Sequence, residues 1–374
     1  VIPPDVPTTN ALFLQALLRV PSANSLVHPA SFSQVFEPLV ASAFAWSMDQ
    51  SGAGIGALSM AFSPDGQSVF VSGGKGRNQL FRFTLAGGEA ATPLATLEVP
   101  IYDLVFDTSG QLWATTGGGP LVQIDPDTGR IVNRYRDGVA LGLAVDVKSV
   151  NLYVSTGNGV DIFDPRTQVW KNFSSLRVQS LAFSPSGELW ATTWPKNGQV
   201  VRFNRLGQAE VIFTPEMPAT GLAFGPAGTQ LSGLLFISHA SGGRVTLMDL
   251  ASRQTMTIAQ GSGRGQFVHI GPDGRVYLAQ SQGVDVLSPV TAPRITEAPA
   301  QGSVLDPLLT SLALTFDADM KHGSAVDPNS VTNPANYQLV DLGTGRRIEL
   351  GAVTYSPLTR TARLWFEALM PSSY

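Results

Sequence analysis

Residues 181–193, LAFSPSGELWATT, decide the fold of this chain. A short apolar strand ending at Phe183 runs into the turn Ser-Pro-Ser-Gly, and a second apolar strand carrying Trp190 follows. Strands this short, joined by turns rich in Pro and Gly, are typical of antiparallel sheets. The unit occurs six times, as AFSPDGQ (61–67), VFDTSGQ (105–111), AVDVKSV (144–150), AFSPSGE (182–188), AFGPAGT (223–229) and HIGPDGR (269–275).

The spacing of the copies indicates the architecture. Equivalent turn positions recur about every 40 residues, which predicts the four-stranded blades of a six-bladed β-propeller. These positions are Gly66, Gly110, Ser149, Gly187, Gly228 and Gly274.

Apolar residues occupy fixed positions in every copy, as expected for blades that are covered on both faces by their neighbours. The first strand carries Met60, Leu104, Leu143, Leu181, Leu222 and Val268. The second strand carries an aromatic column: Phe70, Trp113, Tyr153, Trp190, Phe236 and Tyr277. The third strand carries Phe83, Ile124, Phe163, Phe203, Met248 and Leu287.

The sixth copy lacks a fourth strand, because a Pro-rich segment follows Leu287. A lone apolar segment, Val35–Val40, precedes the first copy. We expect it to complete the last blade and close the ring, which removes exposed sheet edges. Pro38 within this segment requires it to be the outermost strand of its blade.

The motifs LAFSPSGELWATT (181–193), LVFDTSGQLWATT (104–116) and VQIDPDTGRIV (122–132) resemble the NHL, YVTN and gluconolactonase-like propeller superfamily. Farther along, Phe316–Met320, Asn333–Tyr337 and Leu369–Tyr374 resemble a bacterial Ig-like domain of large surface proteins. The predicted organisation is therefore all-β: an N-terminal extension (1–30), a propeller (31–290), a linker (291–302) and an incomplete Ig-like β-sandwich (303–374). Within the extension, Asn10–Leu18 fits either a short helix or a strand.

Composition narrows the possible partners. Charged residues are 14% of the chain against roughly 25% in an average soluble protein. The net charge is −4 and no basic block occurs, so nucleic acid and anionic membranes are not expected as partners. The longest apolar stretches, Ala11–Val20 and Leu39–Trp46, are too short to span a bilayer. The chain has no cysteine, which fits an exported protein, and we expect an extracellular or cell-surface location. Because the first residue is Val, we expect either that a leader has been removed or that the chain is a piece of a longer protein.

The residues at the start of the six innermost strands should line the central channel. A gluconolactonase-type site needs several carboxylates around one divalent cation, and Asp103 is the only charged residue among them. These positions are Leu58-Ser59, Tyr102-Asp103, Leu141-Gly142, Gln179-Ser180, Thr220-Gly221 and Gln266-Phe267.

The chain has four histidines, His28, His239, His269 and His322. His239 and His269 come from adjacent blades, and the propeller lyases of the streptogramin type that this fold resembles use a His base. No second carboxylate accompanies either residue, so ordinary core or loop histidines remain the simpler interpretation.

Other motifs have simple structural interpretations. Ser72–Gly76 and Thr116–Gly119 lead into strands, so we interpret them as hairpin loops and not phosphate loops. Asp125–Gly129 predicts an Asx-type turn. Asp317 and Asp319 are candidate Ca²⁺ ligands between adjoining domains, and Asn172-Phe173-Ser174 matches the glycosylation pattern.

We assign no catalytic, cofactor-binding or metal-binding residue from the sequence, and no cofactor. The predicted function is a non-catalytic structural or interaction module whose partners are other proteins or copies of itself. Two alternatives stay open: a propeller enzyme, either a streptogramin-type lyase or a metal-dependent lactonase, and a carbohydrate- or peptide-binding propeller. Exposed aromatics would mark the last, and Trp46, Tyr102 and Trp194 are its candidates.

Overall fold

The computed structural model describes residues 7–22, 25, 27–263, 265, 267–290, 295–299, 309–316, 320–327, 330–341 and 344–368. The chain divides into two compact units, Val1–Val290 and Thr291–Tyr374. Both are built almost wholly from β-strands, as the sequence predicts. In the described parts of the chain, no helix has the length and apolar character that crossing a membrane requires.

The first unit is a six-bladed β-propeller in which each blade is an antiparallel sheet numbered here in chain order. Blade 1 contains Met60–Phe62, Ser68–Gly73, Gln79–Thr84 and Ala95–Thr96. Blade 2 contains Asp103–Phe106, Leu112–Thr115, Leu121–Ile124 and Ile131–Tyr135. Blade 3 contains Ala140–Val145, Leu152–Thr156, Gly159–Asp164 and Val169–Ser174.

The other three blades repeat this order from the inner strand outward. Blade 4 contains Val178–Phe183, Leu189–Thr193, Val200–Phe203 and Ala209–Phe213. Blade 5 contains Ala219–Phe224, Leu234–His239, Val245–Asp249 and Thr255–Gln260. Blade 6 contains Val268–Ile270, Val276–Gln280, Gly283–Pro289 and, from the N-terminal region, Leu39–Trp46.

The predicted columns form the core between blades. All six residues of the first-strand column are buried, and five of the six second-strand aromatics are buried, Tyr153 being partly exposed. The ring closes through aromatic contacts, since Tyr277 of blade 6 packs edge-on against Phe62 of blade 1 with ring centroids 5.0 Å apart. Burial of these side chains supplies the main stabilisation of the ring.

An N-terminal strand closes the last blade as predicted, but its bounds differ from the prediction. Leu39–Trp46 pairs antiparallel with Gly283–Pro289, whereas Gln34–Val35 pairs with the outer strand of blade 5. Pro38 lies between these two strands. The single predicted strand Val35–Val40 was therefore wrong in extent, because the chain passes from one blade to the next at a residue that cannot donate a backbone hydrogen bond. Gly88–Glu89 adds a short parallel strand beside Ala45 and Trp46.

The predicted N-terminal extension contributes to the propeller core. Ala11–Ala16 form a short α-helix capped by the Asn10 side chain, which accepts a hydrogen bond from the Phe13 N–H. Leu12, Phe13 and Ala16 are buried in one cluster with Leu231 and Leu234 of blade 5. Of the two predicted possibilities for this segment, helix or strand, the structure shows the helix, whose apolar face packs on the propeller.

The second unit contains a four-stranded sheet in the order Ile295–Glu297, Ser311–Phe316, Thr361–Phe366 and Leu350–Ser356. Leu339–Val340 pairs with Arg347–Ile348, and Pro334–Asn336 form one turn of 3-10 helix. Ile295–Glu297 fell within the predicted linker 291–302, yet they cover a sheet edge that would otherwise be exposed. Asp317, Asp319 and Leu369–Tyr374 lie outside the described residues. The Ig-like assignment therefore stays a prediction.

Candidate functional site

Asp103 lies at the start of the inner strand of blade 2 and joins three blades. Its Oδ1 accepts hydrogen bonds from Ser59 Oγ of blade 1 at 2.6 Å and from its neighbour Leu104 N–H at 2.9 Å. Its Oδ2 accepts the Leu143 N–H of blade 3 at 2.9 Å. The side chain is only 4% exposed. Asp103 is the single carboxylate predicted to line the channel, and both of its oxygens accept hydrogen bonds that link three blades.

The bonded chain continues to His269 of blade 6, whose Nε2 lies 3.4 Å from Ser59 Oγ. Because the one Ser59 hydroxyl proton is donated to Asp103, a bond to His269 requires Nε2 to be the donor. In nucleophilic catalysis the histidine would instead accept the serine proton. The cluster therefore combines Ser, His and Asp, but in an order that does not activate the serine through histidine.

Burial sets the charges in this cluster. Desolvation raises the pKa of the Asp103 carboxyl to about 7, although its hydrogen bonds from Ser59, Leu143 and Leu104 favour the ionised form. Desolvation lowers the pKa of the partly exposed His269 imidazole to about 4. Near neutral pH the histidine is uncharged, and the carboxyl is close to half-protonated.

This raised pKa predicts a pH-dependent stability. Folded Asp103 holds its proton up to about pH 7 while the unfolded chain loses it near 3.8, so its contribution to the free energy of unfolding falls as pH rises between these values. Asp103→Asn does not titrate. Urea unfolding should show the wild type losing on the order of 3 kcal/mol relative to the variant from pH 4 to pH 8. A difference that is independent of pH would contradict the assignment.

An apolar group adjoins this polar cluster, because Leu58 directly precedes Ser59 and Tyr102 directly precedes Asp103. Ile55, Leu58 and Phe267 are buried together, and Tyr102 packs edge-on against Phe267 with ring centroids 5.6 Å apart. Leu58, Tyr102 and Phe267 stand at the start of inner strands. The face of the propeller that carries Leu58, Tyr102 and Leu141 is called the mouth face.

Beside this group the mouth face contains a cleft of about 510 Å³. It lies between blades 1, 2 and 3. Its walls include Arg77 from the loop joining the second and third strands of blade 1, and Gly117–Gly119 from the equivalent loop of blade 2. Leu58, Pro100, Tyr102 and Leu141 form its apolar side. Its volume lies within the roughly 300–1,000 Å³ of ordinary small-molecule sites.

The two candidate catalytic histidines have different partners. His239 is 1% exposed, with Nδ1 2.8 Å from Met217 O and Nε2 2.9 Å from Thr246 Oγ1. Burial lowers the pKa of its imidazole. Both ring nitrogens are therefore occupied by hydrogen bonds within blade 5 and its loops, whereas His269 contacts Ser59.

The remaining histidines and aromatics lie apart from this cluster. His28 stacks on Trp46 with ring centroids 4.1 Å apart, and His322 belongs to the second unit, where Nδ1 lies 3.0 Å from Met320 O. Trp194 lies in the loop between the second and third strands of blade 4, on the mouth face. The Arg177 guanidinium lies 4.5 Å from its ring centroid.

The two glycine-rich segments and Asp125–Gly129 have the structures that the sequence predicts. Ser72–Gly76 and Thr116–Gly119 connect second to third strands of blades 1 and 2. Asp125 Oδ1 accepts the Asp127 N–H at 2.8 Å, which confirms the Asx-type turn. Asn172 of the glycosylation pattern donates from Nδ2 to Asp161 Oδ1 at 2.9 Å. Gln266, one of the residues predicted at the strand starts, lies outside the described residues.

Sequence reasoning missed Arg77, and it placed Ser59 at a strand start without assigning it the contact with Asp103. Arg77 directly follows the glycine-rich loop that was interpreted only as a hairpin, and its positive φ of 54° is unusual for a non-glycine residue. Ser59 occupies the same position in its repeat as Asp103, so the shared register was the available signal. Among the described residues, no three His, Asp or Glu side chains are grouped so that they could hold a metal ion.

No family model matches the sequence, and neither does any curated protein. Solved structures match the fold. A gluconolactonase from Xanthomonas campestris has a TM-score of 0.56 at 14% identity, covering 71% of this chain and 94% of that one. An auxiliary nutrient binding protein from Bacteroides thetaiotaomicron has a TM-score of 0.54 at 10% identity, covering 66% and 76%. A soluble aldose sugar dehydrogenase from Escherichia coli has a TM-score of 0.50 at 16% identity, covering 67% and 99%. At these identities the likeness shows the β-propeller fold and nothing finer.

Proposed function

We propose that the propeller is a non-catalytic binding module that recognises its ligand through the mouth face. The observation that carries this proposal is the state of the channel groups: Asp103 accepts a hydrogen bond at each oxygen, and His239 is bonded at both nitrogens. A general base must reach the proton it abstracts, but Asp103 is bonded to blades 1 and 3 and His239 is bonded within blade 5 and its loops. The cleft beside Tyr102 is an accessible concave surface on the mouth face.

We further propose that this module acts in the extracellular space or at the cell surface, with other proteins or further copies as partners. The low charge and the Ig-like resemblance of residues 303–374 support this placement. Partly exposed aromatics on the mouth face, Tyr102 and Trp194, also suit a carbohydrate or peptide.

The test is a comparison of the two faces of the propeller. Wild-type protein is screened on glycan and peptide arrays, and each captured ligand is then measured with variants. Tyr102→Ala or Trp194→Ala on the mouth face should weaken binding at least about tenfold, as expected for loss of an interface anchor. Arg205→Glu and Leu206→Ala, which alter exposed side chains on the opposite face, are the matched controls. Ligands that respond only to the control variants would contradict the proposal.

A second candidate, acid–base catalysis in the channel, is favoured by one observation: the pKa of Asp103 is raised to about 7, which suits proton transfer at neutral pH. In this case a substrate would have to reach Asp103, whose side chain is only 4% exposed. We expect no turnover of lactone or streptogramin-type substrates above background. Turnover that is lost in Asp103→Asn and His269→Gln, while both variants stay folded by circular dichroism, would replace the binding module with an enzyme.

A further inference from the structure

The lining of the cleft on the mouth face combines two kinds of groups. Its apolar residues are Leu58, Ile101, Leu141 and Tyr102, with Pro100 exposed. Its polar groups are Arg77 and the backbone of Gly117–Gly119, and Gly117 lies next to the Tyr102 ring. A cleft that combines apolar side chains with a cation and backbone amides fits a ligand that has an apolar body and an anionic head.

Arg77 is the cation available to such a head. Its side chain is exposed and forms no ion pair with a described carboxylate, whereas Lys75 in the same loop lies 3.9 Å from Asp49. The Arg77 backbone is held in place, because its N–H donates to Gly74 O and its carbonyl accepts the Ile101 N–H at 2.7 Å. Its φ of 54° would suit glycine better, so the loop keeps an arginine at a conformational cost.

The glycine loop of blade 2 lines the same cleft as Arg77 and offers backbone donors. Gly117 N–H donates to Ala140 O at 2.8 Å, and Thr116 Oγ1 donates to Pro120 O at 2.8 Å, so both ends of the loop are fixed. The N–H groups of Gly118 and Gly119 donate to no residue in the described chain. A Cβ built on Gly118 meets nothing within 4 Å, which leaves room for a ligand at this point.

Free amide N–H groups and a guanidinium that share one concave surface form an oxyanion receptor. We propose, building on the binding function above, that this cleft binds a small organic carboxylate. Its carboxylate lies between Arg77 and the amides of Gly118 and Gly119, and its apolar body lies against Tyr102 and Pro100.

The experiment is an NMR titration of the ¹⁵N-labelled full chain with 3-phenylpropionate, its neutral amide, acetate, phenyl phosphate and inorganic phosphate. We expect saturable shifts of the Gly118 and Gly119 amides with 3-phenylpropionate, and binding at least about tenfold weaker for its amide and for acetate. Arg77→Gln should weaken 3-phenylpropionate binding by a similar factor. Arg205→Gln, which removes the same charge from an exposed arginine on the opposite face, should leave it unchanged.

Other outcomes would overturn the assignment. Equal binding of the acid and its amide would show that Arg77 does not recognise the charge of the ligand. Tighter binding of either phosphate would show that the cleft prefers a phosphate to a carboxylate. No saturable shift, with mouth-face variants still losing their array ligands, would overturn this cleft assignment and leave the binding module intact. Shifts confined to the residues around Asp103, together with turnover, would overturn both proposals.

Discussion

Deleting Leu39–Trp46 should abolish cooperative folding of the propeller. This strand pairs along Gly283–Pro289 and is the only segment among the described residues that completes blade 6 in this way. Without it, the edge of Gly283–Pro289 is exposed, and such edges pair with other chains. The deletion also removes the buried side chains of Leu39 and Phe44, the latter packed edge-on against Tyr277 with ring centroids 5.0 Å apart.

The measurement is thermal unfolding by circular dichroism together with size-exclusion chromatography. We expect aggregation or a broad transition for the deletion, and a loss of about 3–5 kcal/mol for Phe44→Ala, the usual range for emptying a buried aromatic site. Val40→Ala is the matched control, because this side chain belongs to the same strand but is exposed. A monomeric deletion variant that melts in one sharp transition would show that the ring does not depend on this closure.

Trp113→Ala should lower the free energy of unfolding by about 3–5 kcal/mol. The indole is 2% exposed and packs near Tyr135 and Phe163, with ring centroids 5.6 and 5.9 Å away. Its Nε1 donates to Asp107 Oδ2 at 2.8 Å. The substitution therefore leaves a cavity in the core between blades and removes the hydrogen bond of a buried carboxylate.

Trp190 occupies the same column in blade 4. Comparing it with Trp113 separates the cost of the cavity from the cost of the lost hydrogen bond. The Trp190 Nε1 is buried and has no hydrogen-bond partner among the described residues. Replacement by Phe should therefore cost about 1–2 kcal/mol more at Trp113 than at Trp190, since only Trp113→Phe leaves a buried acceptor unpaired. Denaturant titrations of the two Phe variants measure this difference. Equal losses would mean that the bond to Asp107 contributes nothing.

The blade repeat was predictable because its cause is local. Each copy contains its own turn and its own apolar positions, so Gly110 and Gly187, or Trp113 and Trp190, report the same geometry independently. The absent fourth strand after Leu287 likewise indicated closure from the N-terminal region. The sequence predicted one outermost strand that includes Pro38, and the division into two strands on two blades was not foreseen.

The cleft and the channel cluster were decided by the tertiary structure. Arg77, Tyr102 and Gly118 come from different loops and strands, and Ser59 meets His269 only because blades 1 and 6 adjoin in the closed ring. Sequence periodicity shows which residues share a strand position. It does not show side-chain directions across neighbouring blades, which depend on the twist of each blade and the curvature of the ring. For that reason the sequence predicted that Asp103 lines the channel, whereas in the folded ring its carboxylate forms hydrogen bonds that link three blades.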